Sequence, residues 1–232
     1  MIQTELDKQK KKLEKLFGAY RSSKNQIISS KLTRGKIYEA FVLSKVLESL
    51  NKTEKLFIVL KNDNSYKLKS SPSAVNRKYP RFDLYKTKSD YELYPDNVIA
   101  EIWTDVEFLT LSYASNSKRR HPSRGEYHEL DILITAPKIR HGHRPTHEQV
   151  YLGIECKNTN YKKSYLREIL GVRRELSLIS NQKHKTKFQY WPRVSINAKP
   201  ASCLMVYCID SDVNKYDESG KLHSIDFKHQ II

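Results

Sequence analysis

One segment of the chain, residues 150–157, separates charged from apolar side chains along an extended pattern. Glu155 and Lys157 share one side of it, and the other side is apolar, with Val150, Leu152, Ile154 and Cys156. Because side chains alternate between the two faces of a strand, the pattern predicts a strand with one buried face and one charged face. An unpaired charge in a protein interior costs several kcal/mol. The fold must therefore bring a metal ion, a phosphate or another carboxylate to this strand.

The segments around this strand predict an α/β fold. Helical periodicity marks residues 36–50 and 165–179, and extended apolar runs mark residues 102–111, 130–135, 201–209 and 222–232. The resulting order is helix, three strands, helix, strand, with a last strand that we expect at a sheet edge. This order predicts a central mixed sheet flanked by helices.

The chain is long enough to bury one sizeable core, and we expect a single domain over residues 1–232. Residues 1–34 would be an N-terminal helical extension, residues 51–98 a β-hairpin insertion, and residues 99–232 the core together with helix 36–50. The insertion is basic and rich in tyrosine, with strands expected at residues 56–60, 66–69, 82–85 and 91–94. It would either face a substrate or serve a structural role.

Charge points to a polyanionic partner. Forty-two Lys and Arg residues against 26 Asp and Glu residues give a formal net charge of +16, and nucleic acid is the commonest partner of such a surface. No apolar run approaches the roughly 18 residues of a membrane span, and the first residues lack a signal-peptide pattern. We therefore expect a cytoplasmic protein that does not enter a membrane. Its three cysteines lie in apolar runs and are expected to be reduced core thiols.

Two further carboxylates are expected near the charged strand. Asp131 lies in run 130–135, and Leu130, Ile132 and Ile134 occupy the alternate face, so Asp131 and Glu155 would converge if the two strands pair. Such hard oxygen ligands suit Mg²⁺, with Mn²⁺ as a substitute. Glu39 lies on the apolar stripe of helix 36–50, either as an accessory acid or as a capping or salt-bridged residue. Glu126 or Glu129 would be the accessory acid in its place.

These residues resemble a known family. Gly35-x-x-x-Glu39 on a helix, Asp131 on a strand and Glu155-Cys156-Lys157 on the next strand are similar to the motif of the PD-(D/E)XK nuclease superfamily. The resemblance covers about residues 35–50 and 100–210, and the layout is closest to Mrr-like restriction enzymes and junction resolvases. The proline of the family name is absent, because Leu130 precedes Asp131. The resemblance implies a restriction-endonuclease-like α-β-β-β-α-β core.

The resemblance also implies the catalytic roles. Asp131 and Glu155 would be metal ligands, with the backbone carbonyl of Cys156 as a third protein oxygen. Glu39 would support these ligands or bind a second metal ion. Lys157 would orient or help deprotonate the attacking water and offset charge on the phosphate. The reaction implied is Mg²⁺-dependent hydrolysis of a phosphodiester bond.

The function predicted from the sequence is a DNA endonuclease of restriction or antiviral defence type. Double-stranded DNA is the expected substrate, and a homodimer or an activating partner protein fits this class. The alternatives are a non-catalytic nucleic-acid-binding or assembly subunit with the same fold, and an RNA-cleaving or junction-resolving nuclease. The expected nucleic-acid contacts are in two basic loops: Lys118, Arg119, Arg120, Arg124, Lys138, Arg140 and Arg144.

Overall fold

The computed structural model describes residues 2–20, 26–29, 32–62, 67–116 and 121–232, with side chains from residue 6 onward. The helices are α1 (Ile2–Gly18), α2 (Arg34–Lys52), α3 (Lys88–Leu93), α4 (Leu111–Ser115), α5 (Lys163–Leu176) and α6 (Asp217–Leu222). The strands are β1 (Phe57–Lys61), β2 (Arg81–Tyr85), β3 (Ala100–Leu109), β4 (Tyr127–Thr135), β5 (Val150–Lys157), β6 (Leu178–Lys185), β7 (Ser195–Lys199), β8 (Cys203–Cys208) and β9 (Ile225–His229). No helix in these ranges is both long and apolar enough to cross a bilayer.

The central sheet has seven strands in the order β1-β2-β3-β4-β5-β8-β9. Neighbours from β1 to β5 are antiparallel, whereas β5, β8 and β9 run parallel. Parallel neighbours need a crossover connection, and α5 lies in the connection from β5 to β8. The prediction of a mixed α/β fold with helices around a central sheet is confirmed. Strand β9 is at the sheet edge, as expected, and β6 and β7 form a separate antiparallel ribbon.

Two apolar cores lie on the two faces of the sheet. The first contains the buried side chains of α1 and α2, and the second contains those of α5. Helix α2 begins after Thr33, whose hydroxyl accepts a hydrogen bond from the Lys36 N–H and so satisfies an otherwise unpaired donor. Its apolar stripe then packs on β4 and β5, which holds the first turn of α2 against the middle of the sheet.

Several local predictions were wrong. Residues 91–94 are not a strand, because the Thr87 side chain caps a short helix, α3, that includes most of them. Leu68 and Lys69 are outside any strand, and the predicted start of that strand, residue 66, lies outside the described residues. Helix α5 ends at Leu176, so residues 177–179 do not belong to it.

The segment expected to be an insertion, residues 51–98, contributes strands to the central sheet. Strand β2 pairs with β3, and β1 pairs with β2 at the sheet edge. The division of the chain into a core and an insertion stays a prediction.

The side-chain alternation expected for β4 breaks at Asp131. Strands β3 and β4 keep one register across this point, but Ile132 packs in the first core and Leu130 in the second. The opposite strand is distorted at the same level, where Asp105 has a φ of 50°. The prediction that Leu130 shares a face with Ile132 is therefore wrong. Val150 likewise packs in the second core, away from Leu152, because the register of β4 and β5 shifts next to it.

Strands β4 and β5 separate beyond the Ile132–Ile154 pair. Their pairing runs from Thr135–Val150 to Ile132–Ile154. Past that pair, the Asp131 carboxylate takes the place of a backbone acceptor and receives a 2.7 Å hydrogen bond from the Cys156 N–H. We call this opening between β4 and β5 the strand fork. It leaves the charged end of β5 accessible to side chains from β3 and α2.

Candidate metal centre

The strand fork collects acidic side chains from three elements. Oxygen atoms of Glu39 on α2, Asp105 on β3 and Asp131 on β4 all lie within 4.8 Å of one another. Glu155, on β5, is adjacent through the Asp131–Cys156 hydrogen bond, and its charge influences the titration of both Glu39 and Asp131. Of the residues expected at the site, the structure thus groups Glu39 and Asp131 with Asp105, and it places the Glu155–Lys157 ion pair on the adjoining segment of β5.

Asp105 was not predicted as a site residue. Read with a period of two, it is one polar residue inside the long apolar run 102–111, and nothing nearby completes a motif. In the structure its side chain is only 5% exposed and points into the acidic cluster. An aspartate in the middle of an otherwise buried strand was the available signal, because buried carboxylates need a partner.

The ammonium of Lys36 lies within this cluster. Its Nζ is 2.5 Å from Asp105 Oδ1, 2.6 Å from Glu39 Oε2 and 3.9 Å from Asp131 Oδ1. Burial alone would lower the pKa of Lys36, but hydrogen bonds to Asp105 and Glu39 raise it above the usual value. Glu39 is therefore both a member of the cluster and a salt-bridged residue, so the two alternatives for it are not exclusive.

If all were ionised, the carboxyl groups of the fork would carry more negative charge than this one ammonium balances. Burial, and then repulsion from Glu155 and Glu39, raise the pKa of Asp131 to about 8. Burial likewise raises the pKa of Glu39 to about 7, against the opposing hydrogen bond from Lys36. Burial also raises the pKa of Asp105. A group of carboxyls that resists ionisation in this way is the environment that a bound cation stabilises.

Lys157 is paired at the mouth of the fork. Its Nζ donates a 2.9 Å hydrogen bond to Glu155 Oε1, lies 3.9 Å from Glu168 Oε2, and is 4.9 Å from the centre of the Tyr165 ring. Burial opposes the charge of this ammonium, but Glu155 outweighs it and the pKa of Lys157 is raised. Lys157 is therefore a charged hydrogen-bond donor, held by its neighbour on β5.

The two alternative accessory acids lie outside the cluster. Glu126 is buried, and its carboxylate accepts hydrogen bonds from the Ser123 backbone N–H and hydroxyl at the turn before β4. Glu129 is exposed, although burial of its carboxyl and the charges of Asp105 and Glu155 raise its pKa. Of the three candidate acids, Glu39 is the one in contact with Asp105 and Asp131.

The expected nucleic-acid contacts are dispersed. Lys118, Arg119 and Arg120 lie outside the described residues, and Arg124 is exposed just before β4. Lys138 and Arg140 are exposed beyond the other end of β4. The backbone N–H of Lys138 binds Glu101, which pairs with Thr135, four residues or about 13 Å along β4 from Asp131. Arg144 is bound to Glu107 at 2.7 Å and lies over the ring of Tyr127.

The other sequence predictions around the site have mixed outcomes. The cysteines form no disulfide, and Cys203 and Cys208 are buried as expected, whereas Cys156 is half-buried beside the fork. On α5, Arg173 is buried, and its guanidinium donates a 2.6 Å hydrogen bond to the carbonyl of Ser202.

No protein-family model matches the chain, and a search of curated protein sequences found no match.

The raised pKa values predict how stability depends on pH. In metal-free buffer, the free energy of unfolding should fall as pH rises from about 4 to about 8. Unfolded carboxyls release their protons near pH 4, whereas folded Asp131 and Glu39 retain theirs to higher pH, so the folded state is the one favoured by protons. Urea unfolding in EDTA at several pH values measures this slope. Asp131→Asn should flatten it, and an equal slope in that variant would contradict the assignment.

Proposed function

We propose that the chain is a Mg²⁺-dependent nuclease that hydrolyses phosphodiester bonds in DNA, with a PD-(D/E)XK active site at the strand fork. The observation that carries the proposal is the placing of the four motif residues around one opening in the sheet. Glu39 and Asp131 lie in one acidic cluster, Asp131 binds the backbone of β5 at Cys156, and the Glu155–Lys157 ion pair lies on either side of Cys156 in the sequence. A salt bridge of purely structural use does not require a matching acid on each of three elements.

The order of the elements supports the same proposal. Helix α2, strands β3 to β5, helix α5 and strand β8 follow the α-β-β-β-α-β order of a restriction-endonuclease-like core. The first three strands are antiparallel neighbours, and β8 pairs parallel to β5 after the α5 crossover. We infer such a core, to which β1, β2 and β9 add strands at the two edges.

The donor set fits a hard divalent cation. Asp131 and Glu155 would hold it, with the carbonyl of Cys156 beside them, and oxygen ligands of this kind are those that Mg²⁺ prefers. An ammonium already lies among the neighbouring carboxylates, so the cluster accommodates positive charge. When bound, the metal ion supplies a water of lowered pKa and charge stabilisation at the phosphate.

The pairing of Lys157 narrows its part in the reaction. An ammonium whose pKa is raised by Glu155 has no lone pair with which to take a proton from water. It instead donates hydrogen bonds, to Glu155 and to a phosphate oxygen or the attacking water. Of the two roles expected for Lys157, we therefore retain orientation and charge stabilisation and set aside deprotonation.

The substrate we propose is double-stranded DNA. The net charge of +16 favours a polyanion. The exposed Lys138 and Arg140 follow the end of β4 at Thr135, which lies about 13 Å along the strand from Asp131, a span over which a duplex presents several phosphates. Cutting both strands needs two active sites, so we propose a homodimer on DNA. A role in restriction or defence, with an activating partner, belongs to the same proposal.

A panel of substrates tests the proposal. Purified protein is incubated with supercoiled plasmid, linear duplex, branched DNA and RNA, in Mg²⁺, in Mn²⁺ and in EDTA. We expect plasmid to be cut with either metal ion and to stay intact in EDTA. Cutting of RNA or branched DNA alone would replace the substrate assignment. Tight, strongly salt-dependent DNA binding without cleavage of any substrate would favour the non-catalytic binding subunit.

A further inference from the structure

We propose that Asp105 forms a second divalent-cation position with Glu39 and Asp131, and that the Lys36 ammonium occupies this position until a cation displaces it. The inference rests on the proposed function in taking the strand fork as the active site. It adds one metal ligand, Asp105, and one competing side chain, Lys36, neither of which belongs to the motif.

The backbone of Asp105 is distorted in a way that directs its carboxylate into the fork. Its φ of 50° lies in the left-handed region, and no other described non-glycine residue inside a strand of the central sheet has a positive φ. Such a conformation costs about 1–3 kcal/mol and persists only where the surroundings enforce it. Backbone strain of this kind clusters at functional sites, and the strain at Asp105 therefore favours a functional role for its side chain.

Neighbouring groups enforce this conformation. The carbonyl oxygen of Asp105 accepts hydrogen bonds from the buried ammonium of Lys69 and from the Ser73 N–H, the latter at 3.3 Å. Lys69 also donates to the carbonyl of Ser73 at 3.0 Å, which fixes this segment along the edge of β3. A lysine that is only 8% exposed is thus used to hold one carbonyl in place. The position of the Asp105 side chain follows from that constraint.

The carboxylate of Asp105 has one oxygen to spare. Oδ1 binds Lys36, whereas Oδ2 is fully buried and has no hydrogen-bond partner in the described part of the chain. The residue is 4% exposed, and its oxygens face Glu39 and Asp131. A buried carboxylate oxygen without a partner costs free energy, and a cation in the cluster would satisfy it.

Lys36 stands in for that cation. Its Nζ makes short charge-assisted hydrogen bonds to Glu39 and Asp105, and Asp131 lies 3.9 Å away, within ion-pair distance. When the three carboxylates are ionised, one ammonium leaves two negative charges uncompensated, whereas a divalent cation balances more of the charge. The Lys36 side chain is 23% exposed on a flexible stem, so it has a route to solvent when a cation enters.

Counting bound Mn²⁺ tests the position without any activity measurement. Calorimetric titration at pH 7.5 should give two Mn²⁺ per chain for the wild type and one for Asp105→Asn. Asparagine tolerates the left-handed conformation, so the backbone is retained while the charge is lost. Glu129→Gln is the matched control, because it removes an exposed carboxylate close to the cluster but outside it, and it should still bind two.

Lys36→Met supplies a second, independent readout. Methionine removes the competing ammonium. The more weakly bound of the two Mn²⁺ ions should therefore have an affinity at least about tenfold higher than in the wild type. Metal-free Lys36→Met should also have a lower melting temperature than the metal-free wild type. Addition of Mn²⁺ should raise the melting temperature of the variant by more than that of the wild type. Unchanged affinity in Lys36→Met, or two ions retained in Asp105→Asn, would overturn the proposal.

The outcomes separate this inference from the nuclease proposal. A wild type that cuts DNA but binds one Mn²⁺, unaffected by Asp105→Asn, would make Lys36 a permanent counter-ion and would leave the nuclease intact. A wild type that binds two ions, loses one in Asp105→Asn and cuts no substrate would support the cation position while the proposed function fails.

Discussion

Replacing Asp131 with asparagine should lower the rate of metal-dependent DNA cleavage by roughly 10³-fold, while the protein remains folded. The Asp131 carboxylate belongs to the acidic cluster and also accepts the hydrogen bond from the Cys156 N–H at the strand fork. Losing its charge would weaken the proposed metal site, whereas the amide oxygen of asparagine can still accept the Cys156 hydrogen bond. Single-turnover cleavage of plasmid at saturating protein measures the effect.

The fold should tolerate this change well. Burial and the neighbouring acids raise the pKa of Asp131 to about 8, so its charged form is destabilised in the absence of metal. The metal-free asparagine variant should therefore unfold at the same urea concentration as the wild type, or a higher one, at pH 8.

A buried strand carboxylate remote from the fork provides the control for Asp131. Asp83, on β2, is 3% exposed and accepts a 2.8 Å hydrogen bond from Arg81. Burial raises the pKa of Asp83 as it does that of Asp131, and Arg81 keeps Glu101 at 3.8 Å as an ion partner. Asp83→Asn should therefore leave the cleavage rate of the folded protein within a few-fold of the wild type. If Asp131→Asn cut DNA at a rate similar to Asp83→Asn, Asp131 would not be a metal ligand.

Apolar periodicity in the sequence predicted the sheet because it reflects which side chains are buried, and burial determines the positions of the strands. The apolar runs at 102–111, 130–135 and 150–157 correspond to the three adjacent strands β3, β4 and β5. Four-residue patterns were less informative. Residues 91–94 alternate like a strand, but they lie in or beside α3, whose start is set by Thr87, a capping residue three positions before Asp90.

Some residues of the candidate site were predictable from the sequence and others were not. Glu39, Asp131, Glu155 and Lys157 were predictable because each is a charged residue on a segment with a clear apolar period. Lys36 and Asp105 were not, since their importance depends on contacts between residues 69 positions apart and on a positive φ that an aspartate adopts only in context. The core positions of Leu130 and Val150 were missed for a related reason, because local distortions move side chains between faces.

Lys157→Ala is expected to reduce cleavage about 10²- to 10³-fold and to leave metal binding within a few-fold of the wild type. An ammonium is not a metal ligand, so its removal should act on the reacting phosphate and water rather than on the cation. Glu155→Gln should instead weaken Mn²⁺ binding in a titration, because it removes a carboxylate charge. Comparing cleavage rates and Mn²⁺ affinities for the two variants separates the roles of two residues that form one ion pair.

An exposed lysine with a carboxylate partner controls for the loss of an ion pair alone. Lys215 lies 2.8 Å from Asp212 at the surface, and Lys215→Ala should change neither cleavage nor metal binding. Arginine at position 157 should not restore full activity, because a planar guanidinium does not reproduce the compact charge of an ammonium next to Glu155. Normal cleavage by both Lys157→Ala and Glu155→Gln would mean that the pair on β5 is structural. The acidic environment that raises the pKa of Asp131 would then have a role other than binding a catalytic metal ion.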